Sequence, residues 1–435
     1  MICRNIEFLN FRNIEGEKIE FTPGVNVIHG ENAQGKTNIL EGIYLFARGK
    51  SFRAFKDKET IRFGTEGAIV KLEYEKKDTD GSLGVEIFKN GTKRFYKNKV
   101  KVNKTSEIIG DFRAVLFCPS HLGIIKDAPS VRRRFLDVAI SQLRPIYLKM
   151  LSKYNNVLEN RNTILKLEPG KRKQYEGMLE VYSDELSSLC ADIAGMRIDY
   201  IRKLDYWVKV FFEEMTSGRE VPKIQYECNA RDGDFESRST LKEKYFNLLR
   251  SNVDKEIKSG ATLYGIHKDD LRIMLNGKDA RFYCSQGQSR SLALAMKMAE
   301  GEISREYSGE YPVFLFDDVL SELDESRRSF IISKIENRQV IITSCEPIYF
   351  ENMANYIEIK DGKRDLSDKN AGKDKEITAF ENGETCESYS ESSSKDTEEE
   401  ELDDLDDKKE FEDSEEFGEA EFGDDIFEKV DGEEE

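Results

Sequence analysis

Val25-Asn26-Val27-Ile28-His29-Gly30-Glu31-Asn32-Ala33-Gln34-Gly35-Lys36-Thr37-Asn38-Ile39-Leu40-Glu41 carries an apolar β-type run into Gly30 and leaves through Gly35-Lys36-Thr37. Ile39, Leu40, Ile43, Tyr44 and Leu45 then recur at helical spacing. The pattern predicts strand, loop and helix, the context in which such a glycine loop holds a nucleoside triphosphate. Gly30 and Gly35 permit turns that a Cβ would block, so that N–H groups face phosphate oxygens at a helix N-terminus. Lys36 supplies a cation for the β- and γ-phosphates, and Thr37 a hydroxyl for Mg²⁺.

Working outward, 435 residues suffice for two or three domains. The net charge of -18 is unevenly spread: residues 361–435 hold 32 acidic and 9 basic residues, whereas residues 1–360 hold 53 and 58. The body is mildly basic and tolerates a polyanionic partner. From 361 the chain is Glu/Asp/Ser-rich with scattered Phe, the composition of a disordered acidic tail. Such a tail either mimics nucleic acid and covers a basic face, or only keeps the protein soluble.

Seven cysteines show no C-x-x-C pair and no zinc spacing, and read as buried apolar residues in a reducing compartment. The N-terminus is charged where a signal peptide is apolar, and no apolar run approaches about 18 residues. A soluble, cytoplasmic protein is expected.

In chain order, residues 2–28 read as three short strands and 67–118 as further β structure with a hairpin turn at Lys89-Asn90-Gly91-Thr92. Lys89, Lys93, Arg94, Lys97, Lys99, Lys101 and Lys104 surround Phe95 and Tyr96. They either track a nucleic-acid backbone or guard an edge hairpin against aggregation. Gly49-Lys50-Ser51-Phe52-Arg53 is a basic loop with an aromatic residue, either functional or a solvated connection. Residues 129–259 change to helical periodicity, broken at Pro169-Gly170 and too short for an extended coiled-coil arm. Arg132-Arg133-Arg134 opens this region as a solvated helix start or a phosphate contact.

Ser285-Gln286-Gly287-Gln288 stands before another helix, a second place for an anion. Val313 to Phe316 form an apolar strand ending in Asp317-Asp318, where parallel α/β sheets place ligand chemistry. Asp317 suits Mg²⁺ through water, and Asp318 suits orienting or deprotonating an attacking water. Gln339 to Ser344 give a further strand whose Thr343 and Ser344 either sense a γ-phosphate or simply end the strand.

The phosphate loop, Ser285-Gln286-Gly287-Gln288 and the carboxylate strand with Ser321-Glu322-Leu323-Asp324 together resemble the ABC-type, SMC-like ATPase head. Asn10-Phe11-Arg12-Asn13, Gly49 to Arg53, Arg132 to Asp137 and His267-Lys268-Asp269-Asp270-Leu271 narrow the resemblance to the RecF family, over residues 1 to about 360. It implies an α/β head with a mixed sheet, in which residues 1–128 and 260–360 form the ATPase lobe, 129–259 an inserted helical lobe and 361–435 the tail.

It further implies ATP and Mg²⁺ as cofactors and two heads closing on duplex DNA near single-strand gaps. RecO and RecR are the implied partners in placing RecA on single-stranded DNA. By motif, Gly30, Glu31, Asn32, Ala33, Gln34, Gly35, Lys36, Thr37 and Asn38 hold the phosphates, and Arg12 with Asn13 lines the nucleotide. Thr37 and Asp317 bind Mg²⁺, Lys36 and Asp318 are catalytic, and Ser285, Gly287 and Gln288 reach the other head's γ-phosphate. Asp318 stands where many such heads carry Glu, which implies slow hydrolysis. Phe117 to Leu122 offer no glutamine for the usual γ-phosphate contact. A scaffold or translocation ATPase that does not act on DNA is the alternative.

Overall fold

The computed structural model describes residues 1–364 except 78, 217, 231–236, 336–337 and 346–353. The acidic stretch from 365 onward lies outside the described residues. In chain order the elements begin with β1 (Ile2–Phe11), β2 (Ile14–Glu20), β3 (Val25–His29), α1 (Lys36–Arg48), β4 (Gly67–Glu75), β5 (Asp80–Phe88), β6 (Lys93–Lys97) and β7 (Val100–Val102). They continue with β8 (Ala114–Phe117), α2 (Gly123–Lys126), α3 (Pro129–Leu143), α4 (Pro145–Leu165), α5 (Pro169–Arg172), α6 (Glu176–Thr216), β9 (Pro222–Glu227), α7 (Arg238–Ser251) and α8 (Val253–Ser259). Last come β10 (Asp270–Leu275), β11 (Lys278–Asp279), α9 (Ala280–Tyr283), α10 (Gln286–Ser308), β12 (Val313–Asp317), α11 (Glu325–Lys334), β13 (Val340–Ser344), β14 (Asn355–Lys360) and β15 (Lys363–Arg364).

Two compact units result: residues 1–108 with the chain from Gln339, and residues 109–338. In the first, β2-β1-β4-β5-β6-β7 form an antiparallel sheet. A second layer places β3 in parallel between β13 and β14, with β15 antiparallel to β14. Helix α1 touches β1, β4 and β13, so its apolar stripe is buried between the layers. Gly42 allows that approach, since a Cβ there would lie 2.3 Å from the Phe8 ring. The β14–β15 turn, Asp361-Gly362, has φ of 51° and 74°, as a tight hairpin requires. Residues 361–364 therefore belong to this hairpin and not to the acidic tail, whose composition masks a local Asp-Gly turn signal.

In the second unit, β8 and β12 pair in parallel, with Phe117 stacked on Phe316 at 4.2 Å. Strands β9, β10 and β11 form a small antiparallel sheet. Helix α6 has 41 residues, longer than the periodicity suggests, and it packs against α4, α7, α10 and β9. It is a core helix with partners along its length, not a free arm. Because α6 packs on α10, the helices of 129–259 share one compact unit with the segment up to 338.

Three buried arginines of this unit are satisfied in sets. Arg161, fully buried, donates to Glu256, Thr262 and Ser183. Arg197 donates to Asp137, to the Tyr147 hydroxyl and to the Ile266 carbonyl. Arg132 holds both oxygens of Asp270 at 2.8 Å, and Arg133 donates to the Asp269 carbonyl oxygen. Arg132 and Arg133 therefore tie α3 to β10, a role outside both sequence readings. No helix among the described residues is long and apolar enough to cross a membrane.

His267 is buried between Tyr154 and Thr262. The Thr262 carbonyl can only accept, so Nε2 carries the proton and Nδ1 accepts from the Tyr154 hydroxyl. Burial lowers the His267 pKa from 6.5 to about 3. The unfolded chain therefore takes up this proton first as the pH falls, and stability due to the neutral ring is lost between pH 6.5 and about 3. Relative to a His267→Gln variant, the parent should lose roughly 5 kcal/mol across that window. Urea titrations of both proteins at several pH values measure the difference, and parallel pH profiles would refute it.

Candidate nucleotide-binding site

Gly30 follows β3 with a φ of 149°, and a Cβ there would lie 2.3 Å from the Ile359 carbonyl oxygen of β14. Glycine is thus demanded twice, by backbone angle and by the neighbouring strand. Ala33 has φ 66° and Gly35 φ 105°, completing a loop that turns into α1. Gly35 is the N-cap of α1 and offers no side chain to its first turn. The start of this 13-residue helix thus directs backbone amides and a positive dipole end toward the loop. The Lys36 ammonium, largely buried, donates to the Gly30 and Glu31 carbonyl oxygens at 2.6 and 2.8 Å.

Neighbouring elements hold the loop from several sides. Gln34 accepts from the Asp361 amide through its side chain and from the Gly362 amide through its carbonyl oxygen. Asn13 accepts from the Asn38 side chain at 2.8 Å and lies so close to Gly35 that a Cβ would come within 2.6 Å of its Oδ1. Arg12 instead turns to Glu41 of α1, with Nε and Nη2 donating at 3.0 and 2.7 Å while Nη1 donates to the Glu59 carbonyl. Glu41 is fully buried and also accepts from the Ser51 hydroxyl. Arg53 donates to the Asn38 side chain at 3.0 Å. Gly49 to Arg53 is accordingly a brace for α1 rather than a solvated connection.

Cys345, just after β13, donates to Asn32 Oδ1 at 2.9 Å and lies 4.0 Å from Lys36 Nζ. It is exposed, against the expectation of buried cysteines, whereas Cys3, Cys118 and Cys190 are buried. Thr343 and Ser344 lie inside the strand and are buried. Glu41, Ser51, Arg53 and Cys345 are the residues the motif left out. Glu41 carried a signal as a carboxylate within the apolar stripe of α1, and Ser51 and Arg53 as part of the Gly49 to Arg53 stretch, whereas Cys345 carried none.

In the second unit Ser285 caps α10. Its Oγ accepts from the Gln288 amide at 3.2 Å, and the Gln288 side chain accepts from the Ser285 amide at 2.8 Å. This reciprocal pair forms a capping box. Gln288 also donates to Glu220. Arg327 of α11 donates to the Gly287 carbonyl at 3.2 Å and to Ser291 at 2.7 Å, and it pairs with Asp324, the N-cap of its own helix. Helices α10 and α11 are thus fastened together at their N-termini.

Asp317 ends β12 almost buried, and Asp318 follows with φ 53°. The Ser321 hydroxyl bridges the Asp318 carbonyl and carboxylate at 2.8 and 3.1 Å. In the 117–122 segment, which has no glutamine, the Cys118 amide donates to His121 and the Cys118 sulfur lies 3.0 Å from Ser120. Burial raises the Cys118 thiol pKa, so it stays a thiol.

The loop fits a nucleoside triphosphate: its glycines are fixed by close backbone neighbours, and its helix start is open to an anion. No group of three His, Cys, Asp or Glu side chains among the described residues can hold a metal ion by itself. In the first unit Thr37 brings a hydroxyl to the first turn of α1, and in the second Asp317 brings a carboxylate to the end of β12.

A phosphate loop leading from a parallel strand, a capped signature helix and an acid-ended strand define an SMC-like ATPase head of mixed α/β architecture. The RecF/RecN/SMC N-terminal domain family matches residues 2–368. The chain is 41% identical over 362 residues to the DNA replication and repair protein RecF of Clostridium beijerinckii, covering 83% of this chain and 95% of that one. It is 38% identical over 368 residues to its counterpart in Clostridium acetobutylicum, covering 83% and 99%. The solved structure of the recombination mediator protein RecF with ATP, in the RecFOR pathway, superposes with a TM-score of 0.78 at 37% identity, covering 83% of this chain and 96% of that one. The chain belongs to the RecF family of DNA replication and repair proteins.

Gly30→Ala should add strain of about 3 kcal/mol to the loop, equivalent to roughly 100-fold weaker nucleotide binding. Titration with a fluorescent ATP analogue measures this, with circular dichroism as the check on folding. Unchanged affinity in a folded variant would remove the loop from the site.

Proposed function

We propose that this protein is an ATP-gated recombination mediator that closes as a dimer on duplex DNA near single-strand gaps and helps RecO and RecR load RecA. The observation that carries this reading is the phosphate loop, whose glycines are held by Ile359 and Asn13 and whose lysine is held by the loop's own carbonyls. Family membership and the ATP-bound relative support it. In this reading residues 1–128 and 260–360 are the ATPase lobe, 129–259 is a helical insertion, and the protein works in the cytoplasm.

Gly30 to Asn38 cradle the triphosphate, with backbone amides and Lys36 offsetting its charge. Thr37 and Asp317 would hold Mg²⁺, which when bound polarises the phosphate oxygens. Asp318, aimed by Ser321, orients the attacking water and takes its proton. Its short side chain fits slow hydrolysis, which acts as a timer. Arg12 acts on the nucleotide through Glu41 and α1, and Asn13 through Gly35 and Asn38. Ser285, Gly287 and Gln288 open a 23-residue helix whose dipole can face the γ-phosphate held by a second copy.

Asp318→Asn keeps the Ser321 contact but removes the base, so ATP should trap the closed dimer. Anisotropy on gapped duplex should show at least about tenfold tighter binding with ATP than with ADP, falling as salt is raised. Equal binding with both nucleotides, or a monomer in sedimentation under ATP, would overturn the gated dimer. Turnover that survives Lys36→Ala would place the ATPase activity elsewhere.

A further inference from the structure

Strand β7 is the outermost strand of its sheet: it pairs with β6, and no strand lies beyond it among the described residues. Lys89 and Lys93 of the basic hairpin are already paired, with Glu66 and Asp57. Phe95 and Tyr96 are buried, so neither can stack on a base. Lys99, Lys101 and Lys104 are exposed and form no ion pair among the described residues, and Val100 of the same edge is 66% exposed. The edge therefore reads Val100-Lys101-Val102, apolar and basic in alternation, flanked by two more lysines.

We propose that this edge is the docking strand for the chain's own acidic segment, residues 365–435. That segment holds 31 acidic and 7 basic residues and lies almost wholly beyond the family match, which ends at residue 368. Its last third sets Phe411, Phe417, Phe422 and Phe427 among carboxylates, and Ala420-Glu421-Phe422 mirrors Val100-Lys101-Val102, with acid in place of base. Side chains alternate faces along a strand, so an added strand in register sets Glu421 opposite Lys101 and the apolar pairs opposite each other. Backbone hydrogen bonds to the open edge hold the segment, and the charges choose it.

The connection is long enough. Arg364 and β7 belong to the same compact unit, and the 56 residues from Arg364 to Ala420 span about 40 Å root-mean-square as a flexible chain. Tethering gives an effective concentration on the order of millimolar, so an interaction weak between separate molecules is populated within one. A docked tail would cover a basic surface that is otherwise open to a nucleic-acid backbone. This docking requires neither nucleotide nor the dimer, so its test stands apart from theirs.

The test is carbodiimide cross-linking of the full-length protein at low ionic strength, read by peptide mass spectrometry. Isopeptide bonds from Lys99, Lys101 and Lys104 to carboxylates of 410–428 should exceed those to other exposed lysines by about tenfold. They should fade near 1 M salt, where screening acts within about 3 Å. The surface double variant Lys101→Glu/Lys104→Glu should lose the remaining Lys99 cross-links while keeping its circular dichroism. Cross-links spread over all exposed lysines in proportion to exposure would overturn the proposal and leave the tail a solubilising extension. Cross-links found only between isotopically distinct copies would overturn it as well.

Discussion

The carboxylate of Glu41, fully buried in α1, is the contact on which the phosphate loop's geometry rests. A charge placed there is costly unless its lone pairs are met. Arg12 and Ser51 meet them, and each arrives from a different segment of chain. The same interaction therefore sets where the β1–β2 turn and the 49–53 segment lie against the helix. Asn13 follows Arg12 directly and is delivered to Gly35 and Asn38. Within the loop Lys36 holds the Gly30 and Glu31 carbonyls, but the two glycines have no side chains with which to fix their own positions. The loop's precision comes from these supports, from Ile359 behind Gly30, and from the Asp361-Gly362 turn on Gln34.

The second unit solves a similar problem differently. The start of α10 is defined by its own capping box, which is local, and by Arg327, which is not. Ser285 and Gln288 satisfy each other's backbone groups, so the helix start keeps one conformation. Arg327 joins that start to the N-cap of α11, in the segment that follows the acid-ended strand. A displacement of either helix is thereby felt by the other.

In the same unit the buried arginines 132, 161 and 197 bind the helices to β10 and to the 256–270 region. Burying a guanidinium adds little net stability over an apolar side chain, but losing one partner is expensive, so such sets specify one arrangement. This explains why Arg132-Arg133-Arg134 misleads when read locally. A basic run at a helix start has the same appearance in a sequence whether it faces solvent, phosphate or a buried carboxylate. The carboxylate here is Asp270, 138 positions away.

What the sequence by itself determined was whatever is written in local spacing. The phosphate loop, the cap at Ser285, the acid-ended strand at 313–317 and the hairpin turn at 89–92 each rest on residues within a few positions of one another. Their backbone conformations follow from the residue types present. Tertiary structure alone decided the partners of Arg12, Arg53, Arg132 and Cys345, the role of Gly49 to Arg53, and the assignment of 361–364 to a hairpin. It also decided that residues 176–216 form one continuous helix of 41 residues. These outcomes depend on which distant groups meet inside a low-dielectric interior. There an unpaired charge is too costly to leave, and pairing distance bears no relation to separation along the chain.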